Sequence, residues 1–225
     1  MLEDLYFRQI EVGPMANFAY LIGSRSSGEA YLVDPAWQVR DLLKVMEEDE
    51  MKVAGVLITH THADHAGGNM RGHDIEGVAE LLEHCDTKVY VHKSEADRLA
   101  VPASSVVGTD EHSQITLGDF TLEFIHTPGH TPGSQCFKLA DRLVSGDTLF
   151  IGACGRTDLP GSNPEDMYHS LTQKLMKLDE QTIVFPGHNY ASHATYSSIE
   201  QEKANNPYCR FPSKSAFLAA MGYSV

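Results

Sequence analysis

The sequence predicts an α/β protein in which two β-sheets pack face to face and helices cover the outer face of each sheet. Short apolar runs separated by turn residues recur through both halves of the chain, and amphipathic helical stretches lie between and after them. A chain of 225 residues is long enough to bury a large core without disulfide bonds. We therefore expect residues 1–225 to form a single domain that ends in a short helical extension at about 196–225.

The first half of the chain is predicted to contain one sheet and two helices. Residues 18–22 and 30–33 form apolar runs on either side of a polar loop, which predicts a hairpin. Apolar residues in 38–48 recur at three- and four-residue spacing, as on one face of an amphipathic helix. The other elements predicted in this half are strands at 53–58 and 88–91 and a helix at 77–83.

The second half is predicted to begin with two hairpins, which turn at Gly118-Asp119 and at 140–142. Asn163 followed by Pro164 and two acidic residues is typical of a helix start, and that helix is expected to run to about Leu178. The remaining predicted elements are a strand at 182–185 and short helices at 196–204 and 213–221.

Composition limits the classes of partner. The 17 basic and 31 acidic residues give a formal net charge of -14, which disfavours nucleic acid and anionic membranes. A small anionic substrate is compatible with this charge, because a bound metal reverses the sign locally. The longest apolar run, 53–58, is too short to span a membrane, and the acidic first residues do not resemble a signal peptide. We expect a cytoplasmic protein with reduced cysteines.

The segment 59–68 concentrates titratable side chains directly after a predicted buried strand. It contains His60, His62, Asp64 and His65. Burying four such groups costs several kcal/mol unless something pairs with them, so a loop without chemistry is a poor explanation. Imidazole and carboxylate are donors that a divalent ion such as zinc prefers. His60 and His62 are candidates for one ion, and Asp64 and His65 for a second.

Three later segments repeat this arrangement of a strand followed by a potential ligand. His130 lies between two Pro-Gly turns, Asp147 follows the strand ending near Val144, and His188 follows the strand 182–185. Each of them alone favours a structural role, but together they predict one metal centre. His126 belongs to the end of its strand and is not expected to be a ligand.

In this order of motifs the chain resembles the metallo-β-lactamase superfamily, and within it the glyoxalase II (hydroxyacylglutathione hydrolase) and persulfide dioxygenase groups. The resemblance implies an αββα sandwich of two mixed sheets with helices on both outer faces and the site at one edge between the sheets. It also implies the ligands. His60, His62 and His130 would form one site, Asp64, His65 and His188 a second, and Asp147 would bridge them.

The resemblance to glyoxalase II implies a hydrolase of a small thioester. Two divalent ions, with zinc first and iron or manganese as alternatives, would share a bridging hydroxide that attacks the thioester carbonyl. Asp64 would orient or deprotonate this nucleophile, and Asp64 and Asp147 are the predicted catalytic residues. Neither a serine nor a cysteine acts as the nucleophile in this mechanism, so Cys154 is not assigned a catalytic role.

The alternative is a mononuclear iron persulfide dioxygenase that oxidises glutathione persulfide to sulfite. His60, His130 and Asp147 alone make the two-histidine, one-carboxylate triad that suits one Fe(II). This triad is nested in the seven-residue set, so the motif is compatible with both reactions. A third possibility, a binding protein that has lost catalysis, is disfavoured because no ligand position is replaced.

Two further residues are predicted to bind a small-molecule thiol or thioester, with glutathione conjugates among the candidates. By this resemblance, Arg156 and Tyr190 correspond to glutathione-contacting positions of glyoxalase II. Structural roles explain them equally well: Arg156 would form an ion pair with Asp158, and Tyr190 would be an aromatic side chain at the rim of the site. Asp158 itself and the short C-terminal region depart from that family. The segment 69–84 is either a lid over the substrate or, as we favour, a solvated insertion with a surface helix. Apolar positions in the C-terminal helices would either form the interface of a homodimer or cover the apolar core of the single chain.

Overall fold

Two six-stranded sheets lie at the centre of the computed structural model, which describes residues 2–223. The first half contains, in chain order, β1 (Leu5–Val12), β2 (Asn17–Ser24), β3 (Glu29–Val33), α1 (Val39–Glu48), β4 (Lys52–Leu57), α2 (Ala63–Ala66), β5 (Gly68–Met70), β6 (His73–Ile75), α3 (Val78–His84), β7 (Val89–His92) and β8 (Val106–Thr109). The second half contains β9 (Gln114–Leu117), β10 (Phe120–His126), β11 (Gln135–Leu139), β12 (Arg142–Gly146), β13 (Leu149–Phe150), β14 (Ala153–Cys154), α4 (Pro164–His169), β15 (Ile183–Pro186), β16 (Ser197–Ser198), α5 (Ile199–Asn205) and α6 (Lys214–Ala220). Short 3-10 turns lie at Leu2–Asp4, Ala96–Arg98, Ala103–Ser105, Leu175–Lys177 and Pro207–Cys209, and a π-helical segment at Ser170–Lys174.

Both sheets are mixed, as predicted. The first has the order β1-β2-β3-β4-β7-β8, in which β1, β2 and β3 are antiparallel and the remaining neighbours are parallel. The second has the order β16-β15-β12-β11-β10-β9, in which only β12 and β15 run parallel. Two small hairpins, β5-β6 and β13-β14, stand apart from the sheets.

Three apolar cores separate four layers. Side chains of β2 alternate between two of them, with Leu21 packed toward the helical face and Tyr20 toward the second sheet. The core between the sheets is rich in aromatic residues, including Phe124 and Phe137, whose ring centroids are 5.2 Å apart. The third core packs the second sheet against α4, α5 and α6. The predicted sandwich with helices on both outer faces is therefore confirmed.

The local elements follow their sequence signals closely. Asn163 caps α4 by accepting hydrogen bonds from the backbone N–H groups of Glu165 and Asp166, at 2.9 and 3.3 Å. The chain then continues helically through the π-helical and 3-10 segments to Lys177, close to the predicted end. Strand β1 was not predicted, because charged residues break its alternation, and α5 begins at Ile199 rather than 196 because Ser197–Ser198 pairs with β15.

The segment 69–84 has the character of a solvated insertion with a surface helix. Residues 71–74, at the tip of the β5-β6 hairpin, are exposed, in agreement with that interpretation. Helix α3 exposes Glu83 and His84 on one face. Its other face buries Val78 and Leu81 in the core beneath the first sheet, as expected of a helix on the surface.

One edge of the sandwich joins the two sheets by backbone contacts. The Phe18 N–H donates to the Gly187 carbonyl at 2.8 Å, and the Asn189 N–H donates to the Ala16 carbonyl at 2.7 Å. These bonds hold the loop after β15 against the start of β2. None of the described helices is long and apolar enough to cross a membrane.

Phe217 tests how far the C-terminal helix contributes to stability. It is fully buried, and its ring lies 5.5 Å from the ring centroids of both Tyr168 and Phe211. We expect Phe217→Ala to lower the free energy of unfolding by about 3 kcal/mol, because it leaves a cavity. Urea denaturation measures this change. Ala219→Ser, at an exposed position of the same helix, is the control, and equal stability of the two variants would contradict the role of this packing.

Candidate metal centre

Loops at the ends of four strands bring seven titratable side chains together between the sheets. They follow β4, β10, β12 and β15, and α2 is a single helical turn within the first of these loops. Six of the side chains are buried and His62 is half-buried. The seven residues are His60, His62, Asp64, His65, His130, Asp147 and His188, the complete set of ligands predicted from the sequence.

The first group of potential ligands consists of His60, His62 and His130. The Nδ1 atom of His62 lies 3.0 Å from His60 Nε2 and 3.0 Å from His130 Nε2. Each residue offers one ring nitrogen, and the three nitrogens lie within 4.8 Å of one another. This spacing is compatible with three ligands of one ion.

The second group consists of Asp64, His65 and His188. The Nε2 atoms of the two histidines are 3.2 Å apart, and Asp64 Oδ2 lies 3.5 Å from His65 Nε2 and 3.4 Å from His188 Nε2. Asp147 stands between the groups, with Oδ2 at 3.6 Å from His130 Nε2 and 3.4 Å from His188 Nε2. The bridging role of Asp147 stays a prediction, but its carboxylate faces both groups.

Backbone carbonyls orient two of the imidazoles from outside. His130 Nδ1 lies 2.9 Å from the carbonyl oxygen of Arg156, and His188 Nδ1 lies 3.0 Å from that of Met15. A carbonyl oxygen only accepts, so each Nδ1 carries the proton and donates it. The Nε2 atom of each ring therefore points into the centre, where the neutral ring offers its lone pair.

Asp34 orients the other two buried imidazoles. Its Oδ2 atom accepts from His65 Nδ1 at 3.0 Å and from the Thr59 hydroxyl at 2.6 Å. The Thr59 oxygen lies 3.1 Å from His60 Nδ1, and because its own proton goes to Asp34 it accepts from that nitrogen. Asp34 follows β3 directly, which is the same strand-end signal that pointed to Asp147, and sequence reasoning did not use it.

The donor set fits divalent metal ions. In the first group the Nε2 atoms of His60 and His130 are both acceptors, and each lies 3.0 Å from His62 Nδ1, which carries at most one proton to share between them. In addition, the buried Oδ1 atom of Asp147 has no hydrogen-bond partner among the described residues. Imidazole nitrogen and carboxylate oxygen are ligands that zinc and similar ions prefer. Metal cations bound at the centre would satisfy these nitrogen and oxygen acceptors.

The electrostatics of the centre favour neutral imidazoles in the first group and ionised carboxylates at Asp64 and Asp147. Burial, reinforced by nearby imidazoles, holds the pKa of His60 well below its ordinary value and lowers the pKa of His62 to about 4. Burial opposes ionisation of Asp64 and Asp147, but His65 and His188 outweigh it and keep both pKa values well below the ordinary range. The two carboxylates are therefore anionic and attract positive charge.

His188 shows this attraction. Burial lowers its pKa, but hydrogen bonds with Asp147 and Asp64 outweigh burial and raise the pKa of His188 to about 9.

Asn17, which the sequence analysis did not assign to the site, adds a further donor because its Nδ2 atom donates to Asp64 Oδ2 at 3.0 Å. Its Oδ1 atom accepts from the Trp37 indole at 3.2 Å, and this contact fixes the orientation of the amide.

A cavity of about 860 Å³ opens onto the centre and contains both predicted substrate-binding residues. Tyr190 stacks on His188 with ring centroids 4.5 Å apart and is 60% exposed. Arg156 forms two hydrogen bonds with Asp158, at 2.9 and 2.8 Å. The ion pair and the rim aromatic considered in the sequence analysis are thus both present, and substrate binding by Arg156 and Tyr190 stays a prediction. The cavity also has an apolar wall, which includes Met15, Met70, Phe150, Leu159 and Pro160.

Comparison with known proteins identifies the family. Residues 12–188, which include every residue of the centre, match the family described as the metallo-beta-lactamase superfamily. The chain belongs to the metallo-β-lactamase superfamily. The family predicted from the sequence is therefore confirmed, and with it the assignment to a class of metalloenzymes.

Superfamily members of two different activities are similar to this chain. Hydroxyacylglutathione hydrolase of Shewanella loihica is 36% identical over 189 residues, which cover 84% of this chain and 68% of the relative. Mitochondrial persulfide dioxygenase ETHE1 of Mus musculus is 34% identical over 205 residues, which cover 89% of this chain and 74% of the relative. The crystal structure of ETHE1 from Myxococcus xanthus superimposes with a TM-score of 0.83 at 31% identity, covering 96% of this chain and 90% of that one.

Glu95 is a further residue that sequence reasoning missed. It is 1% exposed, and one carboxylate oxygen accepts from the backbone N–H and the hydroxyl of Thr61, each at 3.0 Å. The other oxygen accepts from the Gly133 N–H at 3.1 Å. Glu95 therefore links the loop that carries His62 to the loop that carries His130.

Replacement of Glu95 tests this link. Glu95→Gln replaces one of the two carboxylate oxygens by an NH₂ group, which cannot accept a hydrogen bond from the N–H and O–H donors around it. We therefore expect the free energy of unfolding to fall by about 2 kcal/mol. We also expect weaker retention of metal on dialysis, because the two loops of the first group lose a common support. Denaturation and elemental analysis measure these effects. Glu83→Gln, at an exposed position of α3, is the control, and unchanged metal retention in Glu95→Gln would contradict the link.

Proposed function

We propose that this protein is a metal-dependent hydrolase of a small thioester and that it uses two divalent ions, with zinc as the first candidate. The observation that carries the proposal is the second group of ligands. Asp64, His65 and His188 are as complete and as deeply buried as the first group, and Asp147 faces both. A mononuclear enzyme would leave the acceptors of one group without a cation.

The two groups of ligands would hold the ions, and two bound divalent ions would lower the pKa of a shared water from ~15.7 toward 7. The chain's own residues provide the remaining functions. Asp64 is held ionised and is oriented by the amide of Asn17, so it is suited to orient the attacking water by accepting a hydrogen bond from it. Asp147 places a negative charge between the two groups of ligands. Asp64 and Asp147 are therefore the proposed catalytic residues.

The cavity supports a small thioester as substrate. Its apolar wall, which includes Phe150 and Leu159, suits an acyl chain and keeps bulk water away from the carboxylates. Tyr190 and Arg156 stand at the mouth and are proposed to contact the thiol part of the substrate. A thiolate is a good leaving group, so the reaction does not require a strong general acid at the leaving sulfur. Glutathione conjugates remain candidates for this substrate.

A second candidate function is the oxidation of a persulfide at one iron ion. It is supported by His60, His130 and Asp147, which all belong to the centre. The ring centroids of His60 and His130 are 4.9 Å apart, and Asp147 Oδ2 lies 3.6 Å from His130 Nε2. The similarity to persulfide dioxygenases described above favours it as well. It uses fewer of the buried ligands than the hydrolase does, so we rank it second.

Metal content separates the two functions. We expect protein purified without added metal or chelator to hold about two ions per chain, mostly zinc, because two sets of ligands are present. Elemental analysis measures this number. Removal of the ions with a chelator is expected to abolish thioester hydrolysis, and zinc is expected to restore it. A content close to one iron per chain, with oxygen consumption on glutathione persulfide, would support the dioxygenase instead.

Substitution of single ligands makes the same distinction by another route. His60→Ala is expected to abolish either activity, because His60 belongs to both sets of ligands. His188→Ala is expected to lower kcat/KM for a thioester by about 100-fold or more, because the loss of one ion removes charge stabilisation worth several kcal/mol. His112→Ala, at an exposed position outside the centre, is the control. Thioester hydrolysis by His188→Ala at the rate of the control would contradict the dinuclear mechanism.

A further inference from the structure

The turn of the β5-β6 hairpin places an arginine in an unfavourable backbone conformation. Met70 pairs with His73, so Arg71 and Gly72 form a two-residue loop. Both have positive φ, 53° and 88°, as in a type I′ turn. Asparagine or glycine suits the first position of this turn, whereas an arginine side chain is strained there. Strain that persists in a rigid turn beside a binding cavity is a reason to look for a function.

The hairpin is held firmly at this position. Asn69 donates to Asp74 Oδ1 at 2.7 Å and accepts from the Gly72 N–H at 3.0 Å, which closes the turn. At the base, Gly67 has a φ of 85° and packs so closely on Gly77 that a Cβ atom there would lie 2.7 Å from the Gly77 Cα. Arg71 is thereby presented at the rim of the cavity by a defined scaffold.

Arg71 carries a charge that the chain does not neutralise. It lines the cavity of the metal centre, and no ion pair or side-chain hydrogen bond of Arg71 occurs within residues 2–223. Arg156, the other arginine of the cavity, is engaged by Asp158 through two hydrogen bonds. In a chain with a net charge of -14, a cation at the mouth of a cavity that forms no ion pair with the described residues is available for an external anion.

We propose that Arg71 binds an anionic group of the substrate, a carboxylate or a phosphate, at the end remote from the reacting thioester. The inference rests on the proposed thioesterase function and specifies the substrate class as anionic small thioesters. The planar guanidinium presents two parallel N–H donors, which match the oxygens of either anion. The apolar wall accommodates the acyl part, and Arg71 selects among thioesters by the charge of the thiol part.

Two matched pairs of substrates test the proposal. N,S-diacetylcysteine and N,S-diacetylcysteamine differ only by a carboxylate, and S-acetyl-4′-phosphopantetheine and S-acetylpantetheine differ only by a phosphate. For each pair the measured quantity is the ratio of kcat/KM for the anionic over the neutral thioester. We expect this ratio to fall about tenfold in Arg71→Gln for at least one pair, because a charge-assisted hydrogen bond is lost. The pair that responds identifies the anion.

A charge-matched control excludes a long-range effect. Arg40→Gln removes the same charge from an exposed position of α1 outside the cavity, and its ratios should equal those of the wild type. Arg71→Lys should recover part of the ratio. Ratios that do not change in Arg71→Gln, or that change as much in Arg40→Gln, would overturn the proposal.

A binding experiment keeps the proposal separate from the reaction. If the wild type hydrolyses none of the four thioesters, the thioesterase function fails, and calorimetry with non-hydrolysable thioethers then tests Arg71 alone. S-methyl-N-acetylcysteine should bind the wild type about tenfold more tightly than S-methyl-N-acetylcysteamine, and Arg71→Gln should remove this difference. The absence of any such difference in the wild type, both for this pair and between S-methyl-4′-phosphopantetheine and S-methylpantetheine, would overturn the anion site.

The strained turn provides a second and independent measurement. Arg71→Asn places a residue suited to positive φ at the first position of the loop, so we expect its thermal midpoint to rise while its preference for anionic thioesters falls. A rise in stability together with an unchanged preference would show that the arginine has no binding role.

Discussion

The buried meeting point of five imidazoles and two carboxylates is the constraint on which the rest of the structure depends. Ring nitrogens of these groups approach one another to about 3 Å, and the Asp147 Oδ1 atom has no hydrogen-bond partner among the described residues. Such a cluster is unfavourable in a folded protein unless cations occupy it. The surrounding chain keeps the lone pairs directed inward, because carbonyl oxygens and Asp34 take the outer protons of four of the histidines directly or through Thr59.

The sandwich supplies the rigid frame that this arrangement needs. Three apolar cores fix the strands, and the ligands lie only one to eight residues beyond strand ends, where little backbone freedom remains. Contacts between distant loops complete the frame. Glu95 joins the loops of His62 and His130, and the bonds between β2 and the loop after β15 place His188 against the first sheet. The positions of the ligands are thus set by packing on both sides of the site.

The same centre is compatible with two chemistries because one set of ligands contains the other. Hydrolases and persulfide dioxygenases of the superfamily are similar to this chain to nearly the same extent, so overall likeness does not separate them. Local properties therefore have to separate the two chemistries. They are the occupancy of the group Asp64, His65 and His188 by a metal ion, and the substrates that the cavity mouth with Arg71, Arg156 and Tyr190 accepts.

The sequence by itself determined the family, the two-sheet architecture and the seven residues of the centre. These signals are local, since a histidine or aspartate directly after an apolar run is visible within a few residues, as at His60, Asp147 and His188. Asn17, Glu95 and Arg71 were decided only by the tertiary structure. Glu95 contacts residues 34 and 38 positions away, Asn17 contacts Asp64 47 positions away, and Arg71 lines a cavity whose walls come from both halves of the chain. No local pattern encodes such contacts, because they arise only when the two sheets pack together.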